Sequence, residues 1–311
     1  MPVAEVTDLR KHYGAVQAVD GVSFTVEAGE ILGIIGPNGA GKTTTVACLL
    51  GLCPRDGGQV RVLGMDPAVR GREVRQRVGV QLQHAALPDR LRVGEAVEVF
   101  AALAGARVDQ VAVLGEWGLA GRERAAYGSL SGGQRQRLMA ALALIGNPRL
   151  VVLDEHTAGL DPEGRRAGRE TVTALAERGV AVVMTSHDLS EAERVCDRIA
   201  VLATGRIVAL DAPAALIARL GPEARVVFRR PDDFRPDALR HLPAVARVAE
   251  DGADVVVHGA GDVLAQVTAA LSSAGAVPTG LSYRQATLED AYLQLVAAVH
   301  GEEISCARSA S

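Results

Sequence analysis

Short, unbroken apolar runs alternate with helical patterns over roughly the first 220 residues. Ile31-Leu32-Gly33-Ile34-Ile35 is apolar throughout, as in a strand buried on both faces, and residues 150–153 and 180–184 read the same way. Residues 78–82 are a further strand candidate, and helical periodicity covers 41–50, 132–144 and 163–177. This alternation predicts an α/β fold with a mostly parallel sheet core covered by helices. The pattern changes near 218–224, where Arg219-Leu220-Gly221-Pro222-Glu223 reads as a linker. A small α+β unit is expected beyond it, with strands at 225–228, 245–249, 254–257 and 279–283 and helices at 260–274 and 288–299. Residues 301–311, small and polar, read as a disordered tail. No internal repeat is visible, so one catalytic domain is expected.

A chain of 311 residues has room for about two domains. With 48% hydrophobic and 23% charged residues it is of ordinary globular composition, which excludes a disordered or fibrous protein. The net charge of −4 gives no general attraction to nucleic acid, and no nucleic-acid partner is expected. The longest clean apolar run, 138–146, is far short of the ~20 residues of a membrane-spanning helix. The N-terminus carries Glu5 and Asp8 and lacks the apolar core of a signal peptide. Cys48, Cys53, Cys196 and Cys306 are scattered and form no CxxC pair, so free thiols are expected. All but two of the 33 basic residues are arginine, the exceptions being Lys11 and Lys42.

Lys42 sits in the segment Gly36-Pro37-Asn38-Gly39-Ala40-Gly41-Lys42-Thr43, which fits G-x-x-x-x-G-K-[ST] between a strand and a helix and is followed by Thr44. Glycines let the backbone curl so that successive N–H groups face phosphate oxygens, and the helix start favours an anion. Lys42 supplies a charge for the β- and γ-phosphates and Thr43 a Mg²⁺ ligand. The buried run 150–153 ends in Asp154, suited to hold Mg²⁺, and Glu155, suited to polarise the attacking water. Between these elements, Leu130-Ser131-Gly132-Gly133-Gln134 offers a good N-cap and two glycines at the start of another helix. One triphosphate held by Lys42 does not need this second anion-binding terminus. It makes sense if it closes on a nucleotide held by another subunit.

At this point the chain resembles the ATP-binding subunit of an ABC transporter. Walker A is 36–43, the LSGGQ signature is 130–134 and Walker B is 150–155. Ala158-Gly159-Leu160-Asp161 resembles the D-loop, His187 the switch histidine, Gln83 the Q-loop glutamine, and Tyr13 lies where the family stacks an aromatic on adenine. The resemblance implies an ABC ATPase domain over 1–220, with an antiparallel β subdomain and a helical subdomain at about 90–145 that receives the membrane partner, and a C-terminal α+β domain over 224–300. It implies ATP and Mg²⁺ as ligands, with Gln83 sensing metal and γ-phosphate and His187 at the γ-phosphate. Two ATPase subunits, identical or not, would bind head to tail, with Asp161 signalling across the dimer. A separate integral membrane permease would place the protein peripherally on the cytoplasmic side of the membrane. His156 stands where the family most often has proline, and tolerated variation is expected there.

Residues 286–293 (Ala-Thr-Leu-Glu-Asp-Ala-Tyr-Leu) resemble the ending of ABC-2-type export ATPases of the daunorubicin/doxorubicin-resistance kind, which implies export of a drug-like, antibiotic or lipid-like substrate. An importer ATPase or a non-transport regulatory ABC ATPase is the alternative. A DNA-repair ABC ATPase would need a long insertion between Walker A and the signature, for which there is no room, and a P-loop kinase or GTPase has no reason for LSGGQ.

Overall fold

The computed structural model describes the chain except residues 82–86, 156, 158–161, 221–223, 232–233 and 310–311, with the backbone alone over 299–309. It divides into Met1–Ala212 and Pro213–Ser311.

In the first unit the elements run β1 (Ala4–Tyr13), β2 (Val16–Val26), β3 (Ile31–Ile35), α1 (Lys42–Leu49), β4 (Gly57–Val62), α2 (Gly71–Arg75), β5 (Val78–Gln81), α3 (Val93–Ala104) and α4 (Gln110–Glu116). They continue with α5 (Gly132–Leu144), β6 (Leu150–Asp154), α6 (Pro162–Glu177), β7 (Ala181–Ser186), α7 (Leu189–Val195), β8 (Arg198–Ala203) and β9 (Arg206–Asp211). A six-stranded sheet has the order β5-β6-β7-β3-β8-β9, parallel except for the β8–β9 hairpin. A second sheet, β2-β1-β4, is antiparallel. Leu9, Val22, Leu32, Ile34, Val46, Leu49, Val152 and Val183 share one core, so α1 is held between the two sheets. Asp20, almost fully buried, joins them further: it takes Arg10 of β1 at 2.8 Å and Arg206 of β9. Helices α3, α4 and α5 surround a core of their own, built on Val93, Val97, Leu114, Leu138 and Leu142. Among the described residues no helix is long and apolar enough to cross a membrane. Cys48, Cys53 and Cys196 are free, and burial pushes the thiols of Cys48 and Cys196 up to about 11 and about 12, so both rest protonated.

The second unit holds α8 (Pro213–Ala218), β10 (Ala224–Arg229), β11 (Val245–Asp251), β12 (Asp254–Gly259), α9 (Val263–Ser273), β13 (Thr279–Gln285) and α10 (Leu288–Ser309). The sheet order is β11-β12-β10-β13, antiparallel throughout. Val226, Phe228, Val255 and Val257 on one face pack with Val263, Val267 and Leu271 of α9.

Two expectations shift. The division falls at Ala212, ahead of the expected linker, because α8 packs with α10 and so joins the second unit; residues 221–223 of that linker lie outside the described residues. The last helix also continues past 299 and through the expected tail to Ser309. Glu302, Glu303 and Ala307 are good helix formers, and a single Gly301 costs only about 1 kcal/mol.

Phe228 is fully buried and meets Phe234 edge to face at 6.1 Å. Phe228→Ala is expected to destabilise this unit by about 3–5 kcal/mol, read as a lowered urea midpoint of its transition.

Candidate functional site

The parallel strands end level with one another. Ile35 pairs with Ser186 and Asp154 with Thr185, so Gly36, Asp154, Glu155, Ser186 and His187 gather at one edge of the sheet. That is the carboxyl edge, where open α/β sheets bind ligands.

The loop from Gly36 to Thr43 is held too tightly for side chains at two of its glycines. A Cβ on Gly36 would lie 2.3 Å from the Leu202 carbonyl oxygen, and one on Gly41 would lie 2.3 Å from that of Ala18. Gly41 also has φ +100°, a conformation that disfavours any larger residue. Pro37 is half-buried, Asn38 and Gly39 are exposed, and Ala40 is buried, its backbone oxygen taken by Gly205 N–H at 3.2 Å. Gly41 caps α1 without a side-chain hydrogen bond and the first turn carries no acid, so the helix start is left for an external acceptor. Lys42 is buried and donates to the carbonyls of Gly36 at 2.8 Å and Pro37 at 3.2 Å. Burial lowers its pKa, while the charges of Glu155 and Asp154 act to raise it. Thr43 is exposed on the first turn and Thr44 is half-buried.

Thr185, which sequence reading did not single out, organises the acidic side. Its Oγ1 donates to Asp154 Oδ1 at 2.5 Å and accepts the Glu155 N–H at 3.1 Å; the same N–H also reaches the Thr185 carbonyl. These bonds hold Glu155 at φ +48°, a strained value for a side-chain-bearing residue. His187 Nδ1 lies 3.6 Å from Glu155 Oε2, with the imidazole exposed and the carboxylate largely buried. The only advance signal was a polar β-branched residue ending an apolar strand.

Tyr13, at the end of β1, is 53% exposed. Its hydroxyl lies 3.3 Å from Cys53 Sγ, and that hydrogen bond, with burial, raises the phenol pKa; Thr44 acts in the opposite sense, so the ring stands beside the loop. Gln83, Asp161 and His156 lie outside the described residues.

Ser131, Gly132, Gly133 and Gln134 open α5 apart from this cluster. Ser131 Oγ accepts from Gln134 N–H at 3.3 Å and Gln134 Oε1 accepts from Ser131 N–H at 3.1 Å, a closed capping box. Ser131 and Gly132 are exposed. Beyond its own turn of helix, a Cβ on Gly132 or Gly133 would meet no atom of the described chain within 4 Å, so no packing contact requires glycine there.

Comparison with known proteins agrees with this geometry. A family profile described as ABC transporter matches residues 19–158. The Nod factor export ATP-binding protein I of Burkholderia lata is 39% identical over 306 residues, covering 95% of this chain and 98% of that protein. A fluoroquinolones export ATP-binding protein of Mycobacterium tuberculosis is 38% identical over 266 residues, covering 82% and 88%. A solved ATP-binding subunit of an ABC transporter superposes with a TM-score of 0.65 at 28% identity, covering 70% of this chain and 93% of that one. The dimeric structure of a bacterial ABC transporter cassette gives a TM-score of 0.60 at 25% identity, covering 67% and 98%. The chain belongs to the ABC transporter family. It is an ATP-binding subunit, an ABC-type ATPase whose partner is a permease.

Thr185→Val would leave a buried Asp154 oxygen short of its donor and the Glu155 N–H with the Thr185 carbonyl alone. It is expected to cost about 1–3 kcal/mol in denaturant unfolding, with Thr185→Ser restoring most of the loss.

Proposed function

We propose that the chain hydrolyses Mg·ATP in a site completed by a second ATPase subunit, and that the cycle drives export through a separately encoded permease. The observation that carries the composite site is the opening of α5: two glycines stand where a methyl group would touch nothing in the described chain beyond its own turn of helix. Glycine is needed there if a phosphate chain held by another subunit approaches the backbone. The solved bacterial cassette described as dimeric supports this reading.

Within one subunit, the backbone N–H groups from Gly36 to Thr44 cradle the phosphates, and Lys42 exchanges the carbonyls of Gly36 and Pro37 for β- and γ-phosphate oxygens. Tyr13 stacks on adenine. Glu155 takes a proton from the water that attacks the γ-phosphorus as the bond to the β–γ bridging oxygen breaks, leaving ADP and phosphate. His187, 3.6 Å from Glu155, orients that carboxylate and meets the γ-phosphate.

Mg²⁺ fits the donors. It prefers oxygen ligands and keeps several waters, and Thr43 with Asp154 offers a hydroxyl and a carboxylate. Among the described residues no group of three or more His, Cys, Asp or Glu forms a full protein cage, as suits an ion held largely by phosphate and water. Gln83 would add a further oxygen. When bound, the ion neutralises charge developing on the phosphate oxygens. Asp154 is held ready by its hydrogen bond from Thr185.

Export is supported by the relatives, two of which are named for export of Nod factors and of fluoroquinolones, and by the 286–293 ending resembling daunorubicin/doxorubicin-resistance ATPases. There Asp290 accepts the Thr287 N–H at 2.9 Å and closes the start of α10. Attachment through the permease places the protein at the cytoplasmic face of the membrane.

Glu155→Gln is expected to lower phosphate release at least ~10²-fold while ATP still binds, and light scattering of the ATP-loaded variant should show a doubled mass. Gly133→Val should bind ATP and remain single. Turnover by Glu155→Gln at the wild-type rate would remove the base assignment. Vesicles carrying the permease should show ATP-driven efflux; uptake alone would refute export.

A further inference from the structure

The sheet of the C-terminal unit carries an unusual line of charge. Arg247 of β11 pairs with His258 of β12, His258 with Arg225 of β10, and Arg225 with Arg284 of β13. Directly opposite residues of an antiparallel sheet project from the same face with Cβ atoms about 4.5–5.5 Å apart, and like charges so placed are destabilising. Val226, Val257 and Phe228 use the other face, against α9, so this row lies on the face turned away from that helix.

Arg284 is balanced by Asp290 at 3.2 Å. Arg225 and Arg247 are exposed, and among the described residues neither has a carboxylate partner. The next row on the same face is Ala249, Val256, Val227 and Ser282, which is uncharged. The acids beyond it, Asp251 and Asp254, are four residues along their strands, about 13 Å away. Among the described residues, His258 is thus faced by Arg247 from β11 and Arg225 from β10, with Arg284 and its partner Asp290 one strand further and no other carboxylate paired to the row. Its pKa is lowered by burial and by both guanidiniums.

We propose that Arg225, His258 and Arg247 form a binding site for a phosphoryl group. Two guanidinium forks flank an imidazole on one face of three adjacent strands, a set of donors that a single ligand can bridge. A tetrahedral dianion with three free oxygens matches that set, whereas a carboxylate offers two oxygens in one plane. The bound group would offset the repulsion within the row and favour the protonated imidazole. The site lies on a different unit from Lys42 and does not depend on the hydrolytic reading.

The test uses the full chain with labelled histidines, the His258 ring signal identified by its loss in His258→Asn, and the Lys42 loop saturated with ADP. Inorganic phosphate added at constant ionic strength should shift that signal saturably and move the His258 pKa upward. Arg225→Gln/Arg247→Gln, checked for intact ADP binding, should weaken the response at least ~10-fold. Co-sedimentation on phosphatidylcholine vesicles only when they carry phosphatidic acid, lost in the double variant, would support a lipid source for the phosphoryl group. A phosphate response without sedimentation would support a soluble source. A shift reproduced by chloride alone, or kept in the double variant, would overturn the proposal.

Discussion

Three parallel strands, β3, β6 and β7, end in register, and the nucleotide site rests on that alignment. The pairing of Ile35 with Ser186 and of Asp154 with Thr185 brings a phosphate loop, a buried carboxylate and an exposed imidazole to one edge. Each comes from a segment far away in sequence. A slip of one residue in β6 would turn Asp154 to the other face of the sheet and break its hydrogen bond with Thr185. β3, β6 and β7 are buried along their whole length, and the hydrogen bond from Thr185 to Asp154 ties the ends of β6 and β7 together in this register.

Bonds within the chain hold the cluster at this edge. Lys42 occupies its own loop carbonyls, and Glu155 is held in a strained backbone conformation by Thr185. Such strain persists where the surroundings over-determine it, and the Glu155 carboxylate lies 3.6 Å from His187 Nδ1. The signature at the start of α5 has its own side chains satisfied by the Ser131–Gln134 box, and it presents bare backbone outward. One surface holds charge and the other offers uncovered N–H groups; two copies placed head to tail would bring one of each to every nucleotide.

Much of this was legible in the sequence, for physical reasons. Strand 31–35 and helix 132–144 were read with the boundaries the structure shows, because continuous burial and a serine N-cap are local signals. The phosphate loop was legible because its glycines answer close backbone contacts that no other residue allows. The half-exposed strand β1 was not, since Glu5, Asp8, Arg10 and Lys11 interrupt its alternation. Thr185 was missed because its role arises from pairing with β6, a relation between strands that periodicity does not carry. The row of Arg225, Arg247 and His258 was hidden likewise, its members being distant in sequence and adjacent only across the sheet. The end of α10 was hidden because the small, polar composition of 301–311 masks the helix propensity of Glu302, Glu303 and Ala307.

The central claim is that each nucleotide is enclosed by two chains. The most direct measurement is a crystal structure of Glu155→Gln with Mg·ATP. The account predicts Ser131 Oγ and the Gly133 N–H within about 3 Å of γ-phosphate oxygens on the triphosphate held by the partner's Lys42. A nucleotide-loaded structure in which Ser131 and Gly133 face solvent, with the triphosphate enclosed by one chain alone, would contradict it.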